Sequence, residues 1–119
     1  MIHHVSVEVS DLERSARFYD ALLAPLGWRR ITQAADTIGY GLLDHPVFVV
    51  SERRPAFPGS GHVCFEAAAI PAVKAAWEAG VAAGGRDDGE PGVRPHDRLG
   101  RYAAYLSDPD GHRLQVAVR

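Results

Sequence analysis

The chain repeats itself once, and each copy opens a strand pattern with a histidine. Residues 4–28, HVSVEVSDLERSARFYDALLAPLGW, align without a gap on residues 62–86, HVCFEAAAIPAVKAAWEAGVAAGGR, at an offset of 58. Identities fall at His4/His62, Val5/Val63, Glu8/Glu66, Ala21/Ala79, Ala24/Ala82 and Gly27/Gly85. The period is about half the chain, too long and too seldom repeated for a solenoid. A duplicated unit with equivalent histidines can instead bring both to one shared site.

Each copy carries two periodicities in succession. In IHHVSVEV, Val5, Val7 and Val9 alternate with His4, Ser6 and Glu8, the pattern of a strand packed on one face. Ser10 or Asp11 then caps a helix whose apolar stripe is Leu12, Ala16, Tyr19, Leu22 and Leu23, and Pro25 and Gly27 end it. Short strands are expected at about 27–33, 37–43 and 46–51. ERRPAFPGSG, residues 52–61, reads as a linker. The second copy restarts at 61–67, continues as a helix over about 70–83, and passes into 86–100, a Gly- and Pro-rich stretch read as loop. A hairpin of strands 101–107 and 112–118, turning at Asp108-Pro109-Asp110-Gly111, closes the chain. The expectation is an α+β domain spanning 1–119, with module 1 at about 1–52, a linker at about 53–60 and module 2 at about 61–119. Two tandem βαβββ modules would form a half-closed, barrel-like mixed sheet with helices outside and a cavity inside.

Composition narrows the function classes. A net charge of -2 with arginines spread along the chain gives no electrostatic footprint for nucleic acid or an anionic membrane. No apolar run is long enough to span a bilayer, and no signal peptide is visible at the N-terminus. The lone Cys64 precludes an intrachain disulfide and suits a reducing cytoplasm.

The chemistry lies on the strand faces that point away from the helices. Alternation puts His4, Ser6 and Glu8 there in the first copy, His62, Cys64 and Glu66 in the second, and Arg113 and Gln115 on the last strand. A polar group facing a half-closed sheet must be solvated, paired or ligating. Two imidazoles and an amide oxygen on rigid strands suit a first-row divalent metal, with Glu8 and Glu66 as partners or bases. Against this stand plainer roles: Glu8 and Glu66 paired with Arg113 or Arg101, Cys64 inert, and His45, His96 and His112 solvated in turns. His3 should face the helix side or the rim. Of Tyr102 and Tyr105, one should face the cavity and one the core; Tyr102 is taken with Ser6, Cys64 and Arg113 as a substrate contact.

These residues also carry a resemblance spanning nearly the whole chain. HHVSVEVSDLERSARFYDALLAPLGW resembles the first module of the vicinal oxygen chelate superfamily, which includes glyoxalase I, extradiol dioxygenases, and bleomycin- and fosfomycin-resistance proteins. GHVCFEA is similar to the start of its second module, and DPDGHRLQVAV to its closing hairpin. The resemblance implies paired βαβββ modules, usually a homodimer, with metal ligands on the first and last strands of each module. His4, His62 and Gln115 match three such positions; Val49 holds the fourth and cannot coordinate. The set is similar to the two-histidine, one-carboxylate triad of extradiol dioxygenases with an amide replacing the carboxylate. The expectation is a divalent metal (Fe, Mn, Ni or Zn), a small-molecule substrate and an activity of the lyase or dioxygenase kind. The alternative is a non-catalytic drug- or metabolite-binding protein.

Overall fold

The computed structural model describes residues 1–97 and 99–119. In chain order they form β1 (Val5–Val9), α1 (Leu12–Leu23), a short 3-10 turn (Ala24–Leu26), β2 (Arg29–Gln33), β3 (Thr37–Gly41), β4 (Phe48–Glu52), β5 (His62–Ala67), α2 (Ile70–Ala82), β6 (Arg86–Val93), β7 (Tyr102–Ser107) and β8 (Arg113–Val118). The order is βαβββ twice. Each module makes its own four-stranded sheet, β1-β4-β3-β2 and β5-β8-β7-β6. In both, the first and last strands run parallel and the other pairs antiparallel. Neither sheet closes on itself.

The offset of 58 holds through both helix starts, Leu12 and Ile70. Local chemistry sets these boundaries. The Asp11 carboxylate accepts the Arg14 backbone N–H at 3.0 Å, and this bond holds the Asp11 carboxyl below its usual range. Gly27, at φ 83°, ends the following turn in the left-handed region. α2 lacks a side-chain cap and starts instead with proline in its first turn.

Residues 86–93 are strand, where the Gly- and Pro-rich composition had suggested loop. β6 is an edge strand, so Pro91 does not need an N–H on its outer side. Register shifts on both sides of Gly89, which sits at φ 159°, absorb the irregularity. Composition alone could not distinguish a bulged edge strand from a loop.

One core joins the modules. Phe18, Tyr19, Leu22 and Leu23 of α1 are fully buried beside Tyr40, Phe48 and Val50 of the first sheet and Phe65, Leu106 and Val116 of the second. Phe48 and Phe65 meet edge to face at 5.1 Å, and Trp28 meets Phe65 in the same way at 5.5 Å. α1 and α2 approach closely at Gly80. A Cβ there would lie 2.8 Å from Leu106 Cδ1 and 3.2 Å from Leu22 Cδ1.

The Asp-Pro-Asp-Gly turn fastens the C-terminal hairpin to the first module. The buried Tyr19 hydroxyl donates to Asp108 Oδ2 at 2.7 Å. Asp108 Oδ1 accepts the backbone N–H groups of Asp110 (3.0 Å) and His112 (2.8 Å). Asp110 in turn takes the Ser10 hydroxyl at 2.5 Å and the Arg14 guanidinium at 3.3 Å.

Candidate functional site

With the helices on one face of each sheet, the other face is open. Register identifies its residues. In the second sheet Cys64 lies opposite Gln115 and Gln115 opposite Tyr105, while His62 lies opposite Arg113. Val63, Phe65, Leu114 and Val116 point the other way, into or against the core. The inward alternation expected for both strands is therefore observed.

His62 Nε2 and Gln115 Oε1 are 3.1 Å apart. Gln115 is buried and His62 exposed, so the amide is part of the sheet face and the imidazole stands over it. The pair lines a cavity of about 760 Å³ together with Tyr105 and, from the segment between β6 and β7, His96, Asp97, Leu99 and Arg101. That segment accounts for the asymmetry of the modules. Three residues separate β2 from β3, but eight separate β6 from β7, and β6 itself is longer than β2. The additional chain forms the cavity wall on the second sheet. Asp97 and Arg101 fasten it through an ion pair at 2.8 Å, and Asp97 also accepts the Leu99 N–H. Arg101 accordingly holds the Asp97 carboxyl below its usual range.

The remaining sequence candidates are dispersed. His4 lies just before β1, exposed, with its Nδ1 2.8 Å from Nδ1 of His3. The His3 ring packs edge-on against His45 at 4.4 Å. His3 is thus part of an exposed imidazole cluster at the rim. Glu8 pairs with Arg53 at 3.3 Å and Glu66 with Arg119 at 2.8 Å, not with Arg113 or Arg101. Ser6 and Glu8 line a groove of about 340 Å³ between the modules, which His62 and Arg113 share. Partial burial pushes the Cys64 thiol up, which leaves it protonated and poorly nucleophilic at neutral pH.

Tyr102 is corrected by the structure. It packs against the core, and Tyr105 faces the cavity. Counting alternate residues back along the strand paired with Gln115 identifies Tyr105. Asp97 and Leu99 were missed, and His96 and Arg101 were read only as a solvated turn residue and an ion-pair partner, because loop residues have no periodicity. The i,i+4 Asp97/Arg101 pair was the one available signal.

A divalent metal, implied by the resemblance, can be tested against these donors. His62 and Gln115 are neutral donors already bonded to each other, and His4 is engaged by His3. Asp97, the carboxylate lining the same cavity, is held by Arg101. Among the described residues, no three His, Cys, Asp or Glu side chains form a group that could hold a metal ion. In this arrangement the residues do not fit a resident dication, whose affinity rises with the number of charged ligands. Gln115→Glu should therefore raise Ni(II) affinity about tenfold or more, read by isothermal titration. Unchanged affinity in a folded variant would remove position 115 from any ligand set.

The family model described as "Glyoxalase/Bleomycin resistance protein/Dioxygenase superfamily" matches residues 1–116. The chain belongs to this superfamily. A glyoxalase/bleomycin resistance protein from Albidiferax ferrireducens T118 is 36% identical, with a TM-score of 0.85 over 98% of this chain and 97% of that one. A glyoxalase-related enzyme from Fulvimarina pelagi is 26% identical, with a TM-score of 0.78 over 100% of this chain and 88% of the other. A fosfomycin resistance protein from Mesorhizobium loti, 18% identical over 98% and 89% of the two chains, shares the fold with a TM-score of 0.69. No curated protein matches the chain. No helix is long and apolar enough to cross a membrane among the described residues.

Proposed function

We propose that this superfamily member binds a small molecule on the open face of its second sheet, over the His62–Gln115 pair. The observation that carries this reading is the convergence of an imidazole, a buried amide and Tyr105 in one cavity of about 760 Å³. Ligand sites combine concavity with a few placed polar groups, and a sheet face needing only stability would not bury an amide there. His62 can donate or accept a hydrogen bond or proton, Gln115 fixes its ring orientation, and Tyr105 and Leu99 offer apolar surface. Binding of a drug or metabolite without chemistry is the first reading.

A metal-dependent lyase or dioxygenase is the second reading, favoured by the matched histidines His4 and His62 of the two copies. It requires His4 to leave His3 and supply a third donor. A homodimer in the cytoplasm belongs to both readings, and light scattering on the purified protein tests the dimer.

Elemental analysis after reconstitution with Fe(II), Mn(II), Ni(II) and Zn(II) separates the two. The first reading expects well below one metal per chain. One metal per chain, lost in His4→Ala and in His62→Ala, would overturn it in favour of the enzyme.

A further inference from the structure

We propose that the ligand of this face is an organic anion, a small carboxylic or phosphonic acid whose oxyanion seats on Arg113. The inference rests on the binding face proposed above and gives it a ligand class.

Arg113 begins β8 directly opposite His62 in the parallel ladder, on the open side. Its position is therefore set by sheet register rather than by a loop. Beside the large cavity it lines, with His62 and Tyr105, a second one of about 370 Å³. Among the described residues, Arg113 has neither an ion pair nor a side-chain hydrogen bond. Its neighbours differ. Arg86 in the same cavity is held by Asp88 at 3.2 Å, and Arg101 by Asp97 at 2.8 Å. Asp88 also accepts the Ser107 hydroxyl. Glu8, in the intermodule groove that Arg113 also lines, is taken by Arg53 at 3.3 Å.

Among the described residues that line the two cavities, three arginines thus face two carboxylates, and Arg113 is the one of them without a carboxylate partner. A guanidinium presents a planar fork that matches a carboxylate or phosphonate with two parallel hydrogen bonds. The Gln115 side-chain oxygen is turned to His62, so its amide N–H groups remain as further donors on the same face. Tyr105 and the exposed Leu99 give the apolar body of such an acid a surface to lie on. The pattern is a cationic head position with an apolar shelf, the complement of an amphipathic acid and the wrong sign for a cationic drug.

The test is a titration of the isotope-labelled protein with benzoate and phenylphosphonate against neutral benzamide, read as amide and imidazole chemical shifts. The anions should shift His62, Gln115 and Arg113 and bind at least about tenfold tighter than benzamide. Arg113→Gln should abolish that preference and Arg113→Lys should restore part of it. Arg29→Gln removes another arginine without a side-chain partner, on the outer strand of the first sheet, and should change nothing. Equal binding of benzamide and benzoate at His62 would overturn the anion assignment and leave the binding face standing. Absence of shifts at His62 and Gln115 with every probe would overturn both.

Discussion

Asp108→Ala is expected to destabilise the fold by about 3–5 kcal/mol, seen as a fall in the urea midpoint and a drop in Tm of roughly 10–20 °C. Asp108 is 3% exposed, and its two oxygens serve three donors. Hydrogen bonds to a charged acceptor contribute about 1.5–3 kcal/mol, and a buried donor left without a partner costs about 1–3 kcal/mol. In the alanine variant the Tyr19 hydroxyl, fully buried, is that donor. Asp108→Asn keeps an acceptor for the two backbone N–H groups and should lose about half as much. An unchanged midpoint for Asp108→Ala would show that the turn forms without its carboxylate. The same pair predicts a pH response. Burial, and next the charge of Asp108, push the Tyr19 hydroxyl well above its ordinary value, and burial and Asp20 push Tyr40 up likewise. Both stay protonated in the folded state after the unfolded chain has begun to ionise. The folded state then binds more protons, so the contribution of these two tyrosines to stability is level below about pH 10 and falls above it. Tyr19→Phe should flatten that alkaline fall.

The second large effect is expected at Phe48. Its ring is 1% exposed and touches Tyr19 at 5.0 Å and Phe65 at 5.1 Å, so it serves both modules. Truncation to alanine should cost about 3–5 kcal/mol, the sum of lost transfer energy and the cavity left behind. Phe65→Ala should cost a similar amount. The double variant should fall short of the sum by about 0.5–1.5 kcal/mol, because the first truncation already removes the edge-to-face contact. Strict additivity, measured by denaturant titration of the four proteins, would mean that the modules are coupled elsewhere.

The fold was largely legible because its cues are local. Alternation in IHHVSVEV and GHVCFEA, the stripe from Leu12 to Leu23, and Asp-Pro-Asp-Gly each determine one element without reference to the rest of the chain. β6 was not legible, since its stability comes from pairing with β7 and from bulges that tolerate Pro91 and Gly89. The site was half legible. Period-two alternation placed His62, Cys64, Arg113 and Gln115 on one open face, but it cannot say which of them meet. His62 finds Gln115 because β5 and β8 are neighbours, whereas His4, its counterpart by repeat, finds His3. Tyr102 and Tyr105 differ by three positions, so one had to face each way; the register with Gln115 decides between them. The wall of His96, Asp97, Leu99 and Arg101 follows from extra chain in one module, and no hydrophobic period marks it.

The bonds from Tyr19 to Asp108 and from Ser10 to Asp110 join residues 89 and 100 positions apart. During synthesis the first module therefore leaves the ribosome without the protein partner of the Tyr19 hydroxyl and with the apolar face around Phe48 uncovered. Phe48 waits for Phe65 on β5, and the Tyr19 bond waits for the final hairpin. Contacts this distant in sequence slow folding, and waiting apolar surface invites association with other chains. The nascent first half is thus the stage at which this sequence is expected to be most prone to association, an exposure that the finished chain no longer carries.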